Sequence, residues 1–160
     1  MNRKRIAAVL GCAAAGFLLA GCESGGAERV RNIKIGVAVY DQYDTFISQL
    51  VEQFNQCAAE MSDSADSNIS VKIEVYNAGK SQTTQNSQVE NMIAQGCDVI
   101  CVNLVDRTEP VTIIDMAEKE KIPIIFFNRE LVEQDLERWD QLYYVGAPAL
   151  ESGIMQGEMA

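Results

Sequence analysis

The sequence predicts a doubly wound α/β fold on a parallel sheet, and three observations carry that prediction. Runs of β-branched and aliphatic residues alternate along the chain with segments whose apolar residues recur every three or four positions. The runs at residues 33–40, 99–104 and 122–127 are nearly continuous in apolar character, as strands covered by helices on both faces must be. Five strand-then-helix units in succession imply right-handed crossovers and a ligand crevice at the carboxyl ends of the strands.

Taken in order, residues 33–40 (Ile-Lys-Ile-Gly-Val-Ala-Val-Tyr) form the first strand. Behind Asp44 and Thr45, residues Ile47, Leu50, Val51, Phe54, Cys57 and Met61 make one apolar helical face that reaches about Glu60. Small, polar and acidic residues over 61–68 predict a loop, and Ile69, Val71, Ile73 and Val75, alternating with polar neighbours, predict a second strand toward an edge. The helix over 82–95 carries its apolar residues late, at Val89, Met92 and Ile93, so its first half is expected to be solvated. Gly96 ends it.

Residues 99–104 supply the third strand, and a turn over 105–109 leads to a helix opening at Pro110, where proline is pre-organised for the first turn. Ile113, Ile114, Met116 and Ala117 are its apolar side. The fourth strand spans 122–127, with Pro123 at its beginning, where a missing N–H is tolerated. Residues 142–145 are a short fifth strand, and residues 149–160 begin another helix without a cap or a following strand, so the α/β sheet is expected to be incomplete.

The N-terminus reads as an address. Asn2-Arg3-Lys4-Arg5 precedes an apolar run over 6–20 that is shorter than the roughly 20 residues a spanning helix needs, which predicts a secretory signal over 1–21. The run closes on Leu19-Ala20-Gly21-Cys22, which resembles the bacterial lipobox, so Cys22 is expected to be the lipidated first residue of the mature protein. Intact-mass measurement checks this: the mature chain should begin at a diacylglyceryl-modified Cys22, and Cys22→Ser should abolish stable membrane association, because two acyl chains hold where one holds only marginally. Residues 22–31 then form a flexible tether, and residues 32–160 the folded lobe.

Composition removes several classes of function. The whole chain has 13 Lys and Arg against 23 Asp and Glu. Loss of residues 1–21 removes three basic and no acidic side chains, leaving 10 against 23. Such an acidic body offers no basic patch for nucleic acid. The sequence contains no histidine, which excludes Ser-His-Asp and Cys-His nucleophile systems and histidine-ligated zinc. Cys57, Cys97 and Cys101 remain after the signal and Cys22 are set aside; an odd number without Cys-x-x-Cys reads as small buried hydrophobes rather than a disulfide framework.

The predicted strand ends fall at residues 40–46, 77–80, 103–106, 128–130 and 146–148. No Gly-x-Gly-x-x-Gly follows the first strand and no full Gly-x-x-x-x-Gly-Lys-Ser/Thr loop exists, since Gly79-Lys80-Ser81 has Glu74 where the first glycine should stand, so none of these ends is a phosphate cradle. They offer carboxylates, carboxamides and aromatic rings, which suit a neutral polyol: flat rings cover C–H faces, and planar side chains bond hydroxyls in pairs.

The segments Ile35-Gly36-Val37-Ala38-Val39-Tyr40, Tyr43-Asp44-Thr45-Phe46, Asn103-Leu104-Val105-Asp106, Pro123-Ile124-Ile125-Phe126-Phe127-Asn128-Arg129-Glu130 and Tyr143-Tyr144-Val145-Gly146 resemble, in this order, the galactose/glucose-binding proteins of bacterial ABC import. The resemblance implies the N-terminal lobe of a type I periplasmic binding protein, the second lobe missing. It also implies an extracytoplasmic, membrane-anchored monomer whose partners are a monosaccharide and a membrane ABC permease. No cofactor is implied for this lobe, since the family's calcium loop belongs to the second.

At single positions, the resemblance makes Asp44 the carboxylate that bonds a sugar hydroxyl, Phe46 the ring that stacks on the sugar, and Asn128 the carboxamide that completes this side of the site. Read without it, Asp44 could be only a helix N-cap, Phe46 a core residue and Asn128 the end of a strand. Tyr40 and Arg129 stay outside the expected site, as packing or a surface ion pair. Where the family continues with polar residues after Gly146, this chain has Ala147-Pro148-Ala149-Leu150, so hydrogen bonds from that turn are expected to be absent. An exported sugar sensor feeding chemotaxis or a sensor kinase is the alternative. An enzyme using Asp41 and Asp44 lacks a partner acid across a cleft.

Overall fold

The computed structural model describes residues 30–64, 68–147 and 149–159. The signal over 1–21, Cys22 and nearly all of the tether lie outside the described residues. In chain order the elements are β1 (Arg31–Val39), α1 (Thr45–Asp63), β2 (Ile69–Asn77), α2 (Gln82–Ala94), β3 (Val99–Val102), α3 (Val111–Glu120), β4 (Ile124–Phe127), α4 (Glu133–Leu136), β5 (Leu142–Val145) and α5 (Ala149–Glu158). All strand pairs are parallel, and the order across the sheet is β2-β1-β3-β4-β5. The chain first steps outward from β1 to β2 and then returns past β1 to β3. The carboxyl ends of β1 and β3 therefore flank the topological switch point, where flanking loops diverge and a crevice opens.

Helices cover both faces, which is why the strands read as continuous apolar runs. On one face Val89 and Met92 of α2 and Ile113, Ile114 and Ala117 of α3 join the core of Ile100, Val102, Ile124 and Phe126. On the other, Ile47 of α1 seals Val37, Val39 and Phe127, with Phe54 meeting the Phe127 ring edge-on at 5.4 Å. The close approach of α2 needs Gly36 in mid-strand: a Cβ there would lie 2.6 Å from Met92 Sδ and 3.2 Å from Cys97 Sγ. Met92 is fully buried and has nowhere to swing. Gly36→Ala is therefore expected to destabilise by about 1–3 kcal/mol, the usual cost of overpacking, read from urea unfolding.

Several boundaries differ from expectation for local reasons. β1 starts at Arg31 rather than 33, because Arg31 and Asn32 pair with Ile69 and Ser70. α1 continues past Glu60 because Ser62 Oγ donates to Ala58 O while accepting from Val71 N, which ties the last turn to β2. Ile122 and Pro123 precede β4; Ile122 N instead bonds Ala117 O and closes α3, whose cap Lys121 is left-handed. The short α4 was not expected at all. The expectation that the first half of α2 is solvated is overturned at Gln85, which is fully buried because its carboxamide finds backbone partners. Cys97 is buried and Cys101 half-buried, its thiol pushed up to about 11 by desolvation, but Cys57 lies exposed on α1.

Candidate functional site

The site begins where β1 runs out. Ala78 N and Lys80 N bond to the carbonyls of Val39 and Tyr40, folding the β2 turn over the end of β1. Gly79 and Lys80 are left-handed there, and Lys80 Nζ reaches Asp41 Oδ2 at 3.1 Å. The Tyr43 amide and then Lys80 hold the Asp41 carboxyl below its usual range. Asp41 is thereby consumed as a structural acid.

Asp44 is the N-cap of α1, in extended backbone, and its Oδ1 accepts from Phe46 N at 2.9 Å and Ile47 N at 3.1 Å. Its other oxygen, Oδ2, accepts from the Tyr40 hydroxyl. The Tyr40 bond, followed by the Ile47 amide, holds the Asp44 carboxyl below the ordinary carboxylate range, and the same bond pushes the Tyr40 hydroxyl up. The Arg129 guanidinium lies 3.8 Å over the Tyr40 ring, while its Nη1 donates to the carbonyls of Leu104 and Val105 at 3.0 and 2.8 Å. Tyr40 and Arg129 thus form neither plain packing nor a surface ion pair; they link the ends of β1, β3 and β4.

Phe46, in the first turn of α1, is 58% exposed and is not a core residue. Asn128 follows β4 in the left-handed region, which Asn tolerates better than bulkier residues, and its N–H bonds Val145 O. Phe46 and Asn128 share a groove of about 240 Å³ with Leu50, Phe54, Phe127 and Val145. Asp44 is not among the groove's lining residues; it stands two residues before Phe46 and is joined through Tyr40 to Arg129, the neighbour of Asn128. The turn after β5 presents Gly146 and Ala147, which carry no polar side chain.

The sequence reading placed Asn103 at a strand end but gave it no role. Asn103, the first residue after β3 at the switch point, is fully buried; its Nδ2 donates to Phe127 O at 3.1 Å and its Oδ1 has no partner. The available signal was a carboxamide placed directly behind the apolar run Val-Ile-Cys-Val at a strand end, where a merely structural side chain would be apolar. Gln82 and Gln85 of α2 brace the same loop: Gln85 Nε2 donates to Asn103 O, Gln85 Oε1 accepts from Val105 N, and Gln82 Oε1 accepts from Asp106 N.

A second cleft, about 180 Å³, lies under α1 at the other end of the strands and is lined by apolar and sulfur-bearing side chains such as Ile35, Met61, Val71 and Cys101. Among the described residues, no group of three or more Cys, Asp or Glu could hold a metal ion, and no helix is long and apolar enough to cross a membrane.

Residues 35–160 match the model of the periplasmic binding protein domain. The D-galactose/methyl-galactoside binding periplasmic protein of Haemophilus influenzae is 30% identical over 126 residues, which cover 79% of this chain and 36% of that protein. An ABC transporter solute binding protein from Bacillus halodurans with bound myo-inositol superposes with a TM-score of 0.66 at 30% identity, over 84% of this chain and 42% of that one. A carbohydrate transporter solute binding protein from Chloroflexus aurantiacus in complex with D-glucose gives a TM-score of 0.65 at 18% identity, over 81% and 34% of the two chains, and so shows the fold alone. The chain thus spans well under half the length of these relatives. Its five-stranded sheet is the N-terminal lobe fold of type I members, and with the family model matching most of its length the chain belongs to the periplasmic binding protein family.

Proposed function

We propose that this chain is the N-terminal lobe of an extracytoplasmic lipoprotein, anchored through Cys22, that captures a hexose such as galactose or glucose for an ABC importer. The observation that carries the reading is the juxtaposition at one strand-end crevice of an exposed ring, Phe46, a carboxamide, Asn128, in the same groove, and an ionised carboxylate, Asp44, beside them. A ring covers the C–H face of a pyranose, and the carboxylate and carboxamide bond its hydroxyls. The galactoside-binding and inositol-bound relatives support a cyclic polyol as ligand.

One lobe contacts one side of a sugar, and association itself costs several kcal/mol in lost freedom, roughly 4 or more. Calorimetric titration of residues 22–160 with glucose or galactose is therefore expected to show no binding at micromolar concentration; a micromolar dissociation constant would show that a single lobe suffices. At millimolar sugar, NMR should show galactose or glucose shifting the Phe46 ring and the Asn128 side-chain amide. Shifts confined to other surfaces, or stronger ones from myo-inositol, would redirect the assignment. Phe46→Ala should weaken all hexoses about equally, because stacking reads a C–H face.

A further inference from the structure

We propose that Arg129 is the positioning residue of this site and sets its choice among sugar epimers, by holding Tyr40 so that a single acceptor direction on Asp44 stays open. The inference rests on the sugar-site reading and concerns a residue which that reading leaves out.

An ionised carboxylate offers about four acceptor positions. On Asp44, two are taken on Oδ1 by the amides of Phe46 and Ile47, and one on Oδ2 by the Tyr40 hydroxyl. What remains is one position on Oδ2, its direction fixed by where the Tyr40 hydroxyl sits. An acceptor with one open direction is satisfied by an equatorial or an axial hydroxyl at a given carbon, but not by both. With two open directions on Oδ2 it would accept either.

The Tyr40 ring is held in turn by Arg129. The guanidinium lies 3.8 Å from the ring centroid, well inside the roughly 6 Å reach of cation–π attraction, and is pinned by Nη1 to the carbonyls of Leu104 and Val105. A lysine would keep the charge but neither the planar stack nor the forked donors. The other charges around Asp44 are Asp41, in its own loop, and Lys80, in the turn after β2, and those two are paired with each other. Lys80 also feels Asp44 and Tyr40 through space, but among the described residues Arg129 is the cation stacked on the Tyr40 ring.

The test uses the full chain as wild type, Arg129→Lys, Tyr40→Phe and the double variant, in two measurements. The first needs no sugar: the Asp44 carboxyl is titrated by ¹³C NMR. Its midpoint should rise in each single variant, and the double variant should match Tyr40→Phe. A midpoint unmoved by Arg129→Lys overturns the positioning role by itself, whatever happens to thermal stability. The second is the galactose-to-glucose affinity ratio at millimolar sugar. Both single variants should shrink the wild-type ratio toward one by up to about 10-fold, the scale of one hydrogen bond to a charged group, without adding in the double variant. Equal losses for both sugars, or additive losses, would make Arg129 a direct sugar ligand or a brace and sink the proposal. If sugar moves no resonance of Asp44, Phe46 or Asn128 in the wild type, the sugar-site reading and the epimer claim fail together, while the carboxyl titration still decides whether Arg129 positions Asp44.

Discussion

Replacing Asp44 by alanine is expected to lower hexose affinity by roughly 10-fold to 150-fold, the loss of a hydrogen bond to a charged acceptor worth about 1.5–3 kcal/mol. The measurement is titration of glucose and galactose into a two-lobed protein made by joining these residues to the C-terminal lobe of the galactoside-binding relative. Asp44→Asn should alter the ranking of the two sugars rather than abolish binding, since it turns a pure acceptor into a mixed donor and acceptor. Asn128→Ala should cost less, being uncharged. Alanine also removes the cap of α1, which typically costs about 1 kcal/mol, so unfolding must be followed alongside. Full sugar affinity in both Asp44 variants would reduce the carboxylate to a helix cap.

The same carboxylate is expected to set the acid limit of the proposed binding. The Tyr40 hydroxyl and the α1 amides depress its folded-state pKa, so their contribution is complete above the ordinary carboxylate value, about 3.9, and is lost as pH falls through the lower folded value. Hexose binding should therefore survive below pH 4, and Tyr40→Phe should move the acid limit upward. An acid limit that Tyr40→Phe leaves in place would remove Asp44 from the titrating step.

The largest stability loss near the site is expected from Gln85→Ala. Its side chain is fully buried, donates to Asn103 O at 2.9 Å and accepts from Val105 N at 3.0 Å. Each buried group left without its partner costs about 1–3 kcal/mol, so the pair amounts to roughly 2–6 kcal/mol, a large share of a typical 5–15 kcal/mol stability. Urea unfolding reads this directly. Gln85→Glu keeps the acceptor for Val105 and, at a pH where the new acid is protonated, an O–H donor for Asn103 O, so it should lie near wild type there and lose stability as the acid ionises and that donor disappears. A loss below about 1 kcal/mol in Gln85→Ala would mean that water replaces the carboxamide.

The architecture was legible because burial on both faces writes itself as apolar runs: Ile100, Val102, Ile124 and Phe126 are all fully buried where the sequence places strands. Alternation also limited the strand orders to a few, since βαβ crossovers permit few arrangements, but the order β2-β1-β3-β4-β5 itself came from the structure. What periodicity could not reveal are side chains whose role depends on a backbone group far along the chain. Gln85 looks like one polar residue among many in Gln-Thr-Thr-Gln-Asn-Ser-Gln, yet its partners lie 18 and 20 residues away. The same holds for Arg129, which reaches carbonyls 24 and 25 residues back, and for Asn103, whose carboxamide meets Phe127 O. At Asp44 the helix cap is present on Oδ1, and the second oxygen, which accepts from Tyr40, lies outside the cap.

The glutamine braces have a kinetic corollary. A loop whose amides point to water exchanges its hydrogens at nearly the free rate, whereas the N–H groups of Val105 and Asp106 are held by side chains of α2, itself part of the core. Deuterium uptake at Val105, whose bond to the buried Gln85 is partly buried, should accordingly be slow and should track the opening of α2 rather than local fraying, whereas Asp106 N, bonded to Gln82 at the surface, should exchange faster. Thr108 N, bonded only to the exposed Asp106 Oδ1, should exchange fast. The floor of the crevice then belongs to the last-opening cooperative unit of the lobe, and its geometry is set before any ligand arrives.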